Sequence, residues 1–128
     1  MNKALGTLAE EKTAAYLRRK GFYIAKRNFH SRYGEIDIIA ENENMVLFVE
    51  VKARSEDALV SPADAVDTFK QRRIIKTAMD YIIKSHCNLQ PRFDVAEITV
   101  YKKEDLNYGY KLNYLSNAFN LGDAHGLF

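Results

Sequence analysis

Apolar and polar positions along this chain follow two periods. Leu5, Ala9, Thr13 and Tyr16 fall on one stripe of a helix over residues 4 to 20, the spacing of an amphipathic helix. Gly21 suits its C-terminal cap. "FYIAKRNF", residues 22 to 29, reads as a strand, and "GEIDIIA", 34 to 40, and "VLFVEVKA", 46 to 53, are the clearest strands of the chain. The polar "ENENM" between these two predicts a hairpin. "SPAD", 61 to 64, signals a helix start, with Ser61 as N-cap, Pro62 in the first turn and Asp64 completing an acidic capping box. That helix should run to about His86, ahead of Pro91. "RFDVAEITVY", 92 to 101, and "NYGYKLNYL", 107 to 115, add two strands, the second alternating Tyr108, Tyr110, Leu112 and Tyr114. The order α-β-β-β-α-β-β predicts an α/β or α+β layered fold. Residues 1 to 115 form one expected domain, and 116 to 128 a tail without a clear pattern.

The strand at 46 to 53 holds an anomaly. Glu50 and Lys52 sit on the same face as Phe48, inside the most apolar segment of the chain. Burying charge is costly unless the charge is paired or binds a metal. If Ile36, Ile38 and Ala40 meet Leu47, Val49 and Val51 across the hairpin, Asp37 shares a face with Glu50 and Lys52. A slip of one residue would bring the apolar set against the charges, so the parity is well determined. With Ala40 opposite Leu47, Asp37 faces Glu50. Two facing carboxylates repel, and a hard divalent cation such as Mg²⁺ or Mn²⁺ relieves the repulsion. Asp37 and Glu50 are then candidate ligands, with a backbone carbonyl near Val51 adding a third. Such an ion polarises a phosphate oxygen and activates water, and Lys52 is placed to orient that water and stabilise charge on the phosphate. The simpler alternative is a Glu–Lys pair on a solvent-facing strand, worth about 0.2–1 kcal/mol.

Composition fits this picture without forcing it. The chain has 128 residues, 47% hydrophobic and 28% charged, an ordinary globular composition. A lone cysteine, Cys87, allows no internal disulfide, and no Cys/His cluster has zinc spacing. Neither a signal-peptide pattern nor a membrane-length apolar run is present, so a cytoplasmic location and no membrane partner are expected. The net charge is only +2, short of a dedicated nucleic-acid binder. Its distribution says more: from Lys12 to Gly34 there are seven Lys/Arg, Arg32 among them, and no acid. Lys70, Arg72, Arg73 and Lys76 form a second cluster. Both are candidate phosphate contacts, as is Arg54 beyond Lys52; both also fit plain solvated faces.

"GEID" followed by "FVEVK" resembles the D…(D/E)xK signature of the restriction-endonuclease-like nucleases. Asp37 takes the first acid position and Glu50 and Lys52 the ExK; Ile36 replaces the proline of the fuller motif. The ordered set "GTLAEEKTAAYLRRKGFYIAKRNF", "GEIDIIA", "LFVEVKAR", "SPADAV…K" and "RFDVAEI" resembles the YraN-like family of small bacterial predicted endonucleases, over residues 5 to 101. The resemblance implies a central mixed sheet flanked by helices with αβββαβ topology, and metal-dependent cleavage of DNA, including branched or recombining DNA. The chain is also similar to archaeal Holliday-junction resolvases, where a glutamate of the first helix joins the metal site. Glu10 is that candidate here, though its wheel position fits a surface residue equally well. Two-fold symmetric junctions would favour a homodimer.

Other residues carry blander readings. Asp94 is expected to pair with Arg92 on one strand face. His30, His86 and His125 have no partner spacing. Tyr108, Tyr110 and Tyr114 suit sheet packing first and base stacking second. Two further function classes compete with a nuclease: a nucleic-acid-binding module of the same fold without cleavage, and a structural partner protein. The triad of Asp37, Glu50 and Lys52 favours cleavage, because a module that does not cleave has no physical need of all three.

Overall fold

In a computed structural model, residues 3–56, 66–105 and 107–120 are described. They form α1 (Lys3–Arg19), β1 (Tyr23–Ser31), β2 (Gly34–Glu41), β3 (Met45–Ser55), α2 (Thr68–Ser85), β4 (Gln90–Lys102) and β5 (Tyr108–Phe119). The strands make one mixed sheet in the order β1-β2-β3-β4-β5. β3 and β4 run parallel and the other neighbours antiparallel. This is the expected α/β architecture, a central mixed sheet flanked by helices, and it is consistent with a restriction-endonuclease-like core.

Alternation along β3 splits the core between the two faces. Leu47, Val49 and Val51 join Ile38, Ala40, Ala96 and Ile98 against Ala9, Ala14 and Leu17 of α1. Val46 and Phe48 join Ile39, Phe93 and Val95 against Ile74, Ile75, Ala78 and Tyr81 of α2. The residues between Phe48 and Ser55 that follow its parity, Glu50, Lys52 and Arg54, therefore face the α2 side.

Where the elements depart from expectation, the cause is local. The sequence places the start of the second helix at Ser61, in a stretch outside the described residues. The helical turns seen begin at Thr68, with Asp67 as N-cap, its side chain accepting from Lys70 N at 2.8 Å. Asp67 supplies the same capping chemistry three residues after Asp64. The helix ends as expected, with His86 in the left-handed region. Ile36, expected on the face of Ile38 and Ala40, packs instead with Ile39 in the α2-side core. Strand β2 loses its alternation around Asp37. There the β1 register leaves Asn28, with φ of 51°, opposite Asp37.

Strand β5 likewise outruns its expected end at 115 and continues to Phe119, which is buried and stacks on Phe93 at 5.2 Å. The alternation fails because the β4–β5 register shifts between Phe93 and Val95, and Asn117 adopts φ 54°. A bulge of this kind breaks the two-residue period. Asp94 holds it. Its fully buried carboxylate accepts from Arg92 Nε and Nη2, both at 2.9 Å, from the Tyr114 hydroxyl at 2.5 Å, and from Asn117 N at 2.9 Å. The expected Arg92–Asp94 pair is thus the centre of a larger network, and burial together with the Asp94 charge pushes the Tyr114 phenol well up.

Removing one member of a buried ionic network leaves the others uncompensated. Asp94→Ala should therefore destabilise the protein by about 3–5 kcal/mol, read as a lowered urea midpoint. An unchanged midpoint would mean that Asp94 does not tie β5 to β4.

Candidate functional site

Strands β2 and β3 pair as expected from Ala40–Leu47 as far as Ile38–Val49. The ladder stops there, one residue short of Asp37 and Glu50. Beyond that point the two strands part, and the backbone N–H of Val51 no longer has a β2 carbonyl. Asp37 replaces it: its Oδ2 accepts from Val51 N at 2.7 Å. The carboxylate is thereby fixed in the fork between the strands, beside Glu50.

Its surroundings are of like charge. The Asp37 carboxyl is pushed up to about 7, first by burial and then by the Glu50 charge, with Glu10 and Glu35 adding to the shift. The Val51 N–H works against it. Glu10 reaches this field from α1. Its Oε1 is buried without a hydrogen bond, and Arg27 Nη2 stands 3.5 Å away. The neighbouring Glu11 turns to Arg27 Nη1 at 2.6 Å.

Glu50 is 7% exposed and sits between two ammonium groups, Lys52 Nζ at 3.4 Å and Lys70 Nζ at 2.9 Å, both on Oε1. Burial and contact with Lys70 lower the Lys52 pKa, opposed by Glu50. Lys70 also loses by burial, yet its contacts with Lys52 and Glu50 hold it above the ordinary lysine value. The sequence offered Lys70 only as a phosphate contact or a solvated side chain. Its grip on Glu50 depends on how α2 lies over β3. The signal available was its place in the first helical turn, three residues after the Asp67 cap.

A cleft of about 630 Å³ opens over Glu50 and Lys70 and is walled by Arg32, Arg73, Phe69 and Glu35 among others. Arg73 Nε donates to the Tyr33 carbonyl at 2.9 Å, tying α2 to the β1–β2 turn. Arg32 and Lys76 lie over the Tyr33 ring at 4.9 and 5.5 Å. The fold thus gathers Arg32, Lys70, Arg73 and Lys76 on one side of the carboxylates. Arg72 is exposed and does not line the cleft, and Arg54 is half-buried further along β3.

Among the described residues, no group of three or more His, Cys, Asp and Glu converges closely enough to hold an ion. Asp37 and Glu50 provide two carboxylates, and backbone carbonyl and water would have to complete a coordination sphere. Mg²⁺ is commonly held this way, through one or two carboxylates and several waters. A half-buried carboxyl facing like charges, and a buried Glu10 oxygen with no hydrogen bond and only a 3.5 Å ion pair to Arg27, both suit a cation in the fork. The residues present fit such an ion.

The model of the Uncharacterised protein family UPF0102 matches residues 9–98. The chain belongs to this family. A UPF0102 protein of Clostridium botulinum (strain 657 / Type Ba4) is 40% identical over 122 residues, covering 94% of this chain and 97% of the relative. One from Caldanaerobacter subterraneus subsp. tengcongensis is 42% identical over 118 residues, covering 91% and 95%. The UPF0102 match spans Glu10, Asp37, Glu50, Lys52 and the basic face of α2, and ends before β5. Among the described residues, no helix is long and apolar enough to cross a membrane.

The raised Asp37 pKa has a consequence for stability. The folded protein binds this proton more tightly than the unfolded chain, whose aspartate titrates near 3.8. The stabilisation is complete below that value and is lost as pH rises through about 7. In metal-free buffer, Asp37→Asn should remove this slope, at most about 1.4 kcal/mol per pH unit. The check is the difference between urea unfolding energies of parent and variant from pH 4 to 8. A difference that does not change with pH would show that Asp37 titrates normally.

Proposed function

We propose that this UPF0102 protein is a Mg²⁺- or Mn²⁺-dependent DNA endonuclease of the restriction-endonuclease-like kind, acting on branched or recombining DNA in the cytoplasm. One observation carries the reading. Asp37 is half-buried at the fork between β2 and β3, where its carboxylate accepts from Val51 N and meets the like charges of Glu50, Glu10 and Glu35. A cation or a proton must offset it.

Asp37 and Glu50 would hold the ion, with the Val51 carbonyl as a further ligand and Glu10 at its edge. When bound, the ion would supply Lewis-acid polarisation of a phosphate oxygen and a more acidic water. The chain's own groups do the rest. Lys52, with its pKa lowered, is suited to orient the attacking water and to exchange a proton with it. Its charge opposes the negative charge that grows on the phosphate during in-line attack. Lys70 keeps Glu50 oriented through the 2.9 Å contact. Arg32 and Arg73 line the cleft, and Lys76 lies beside them over Tyr33, where cations offset backbone phosphates without reading sequence. A homodimer would set two such sites on a two-fold symmetric junction.

Metal binding should stabilise the folded state in proportion to occupancy. Mn²⁺ should raise the melting temperature of the parent and not that of Asp37→Asn. Equal shifts in both proteins would remove Asp37 from the ligand set.

Binding and chemistry should separate. Arg73→Ala with Lys76→Ala should weaken binding to every DNA and reduce the slope of log affinity against log salt by about one per lost contact. Lys52→Ala should bind nearly as the parent does and fail to cleave. Single-turnover assays over duplex, single-stranded, flap and four-way DNA with Mg²⁺ or Mn²⁺ provide the readout. Cleavage by Lys52→Ala at the parent rate would overturn its role, and no cleavage of any substrate by the parent would favour a binding module that does not cut.

A further inference from the structure

The end of the sheet formed by β4 and β5 carries a second surface that the carboxylate site does not use. Tyr108 and Tyr110 alternate on β5, opposite Lys102 and Val100 of β4. They are 70% and 40% exposed, unusual for two large rings side by side. Sheet packing, the first expectation for these tyrosines, holds for Tyr114, whose ring lies 4.8 Å from that of Tyr16. It does not hold for Tyr108.

A cleft of about 390 Å³ runs between these rings and α1, with Leu8, Lys12 and Lys103 on its walls. Lys12 Nζ lies 4.7 Å from the centroid of the Tyr110 ring. Tyr101 also lines the cleft, and its ring lies against Gly109. A Cβ at position 109 would meet the Tyr101 ring at 2.6 Å. A side chain at this step of β5 would have to displace the end of the Tyr101 ring.

We propose that this cleft binds single-stranded DNA, with unpaired bases stacked on Tyr108 and Tyr110 and the backbone phosphates met by Lys12 and Lys103. Aromatic faces interleaved with lysines are the chemistry of a strand-tracking groove: every base has a π-face, and every linkage carries a negative charge. Charge complementarity favours an anionic strand over a second copy of this chain, since the lysines that line the cleft, Lys12 and Lys103, attract phosphates. A paired duplex is excluded by its stacking, which leaves no base face open to a tyrosine. The choice of DNA rests on the nuclease reading above; the stacking surface itself does not depend on cleavage.

The test is fluorescence anisotropy of labelled oligothymidylate, oligouridylate and a duplex of equal length, with the full chain in EDTA, so that cleavage plays no part. The parent should bind oligothymidylate, and Tyr108→Ala with Tyr110→Ala should weaken that binding by about tenfold or more per stacked base. Tyr108→Phe with Tyr110→Phe should bind like the parent, since stacking survives without the hydroxyls. Lys12→Ala with Lys103→Ala should reduce the salt slope by about 0.7 per lost contact, the single-strand value, whereas the alanine tyrosine variant should leave the slope unchanged. Duplex affinity should not move in either tyrosine variant. A parent that ignores oligothymidylate, an alanine variant that binds it equally, or an equal loss on duplex would overturn the stacking surface. Tighter binding of oligouridylate than of oligothymidylate would overturn the assignment to DNA. Cleavage assays fail or succeed separately, so loss of the nuclease reading and loss of this surface are told apart.

Discussion

A single hydrogen bond, from Val51 N to the Asp37 carboxylate, is where the sheet becomes a site. Strands β2 and β3 cannot part without leaving backbone groups unpaired, and an unpaired buried N–H is costly. Asp37 removes that cost for Val51 at 2.7 Å. The consequence is electrostatic. The residue that closes the fork carries a charge, and the fork lies beside Glu50 and near Glu10, so the same bond that completes the backbone accounting concentrates negative charge.

The two faces of β3 answer that concentration differently. The α1 face offers apolar packing around Val49 and Val51, with Glu10 at its border. The α2 face offers lysines. Lys70 comes from the first turn of α2, so the cap at Asp67 that starts the helix also sets the position of a cation over Glu50. The tie from Arg73 to the Tyr33 carbonyl then joins the helix to the β1–β2 turn, and the cleft walls come from both. Helix start, cleft and counter-charge are one piece of geometry.

Much of this could be read from the chain, and the failures share a cause. Period-two patterning identifies β2 and β3, the requirement that apolar faces meet sets their parity, and the pairing taken with it, Ala40 opposite Leu47, is the one seen. What was missed sits where regular pairing breaks. Ile36 changes sides because β2 loses its alternation opposite Asn28, a residue type that tolerates positive φ. The end of β5 was hidden by the bulge at Asn117, although Phe119 buries itself in the core just beyond it. Lys70 was visible as a cation but not as the partner of Glu50, since no local pattern states the angle at which a helix crosses a sheet.

The charge balance at the fork has one further implication. Lys52 and Lys70 both lean on the same oxygen of Glu50, Oε1, and neither ion pair reaches Asp37. The lysines therefore neutralise one carboxylate and leave the other to a proton, which its raised pKa allows near neutral pH. Any cation proposed for this fork would compete with that proton, because a ligating carboxylate must be deprotonated. The asymmetry costs stability as pH rises and keeps one half-buried carboxylate open, a pattern expected of a site rather than of a core.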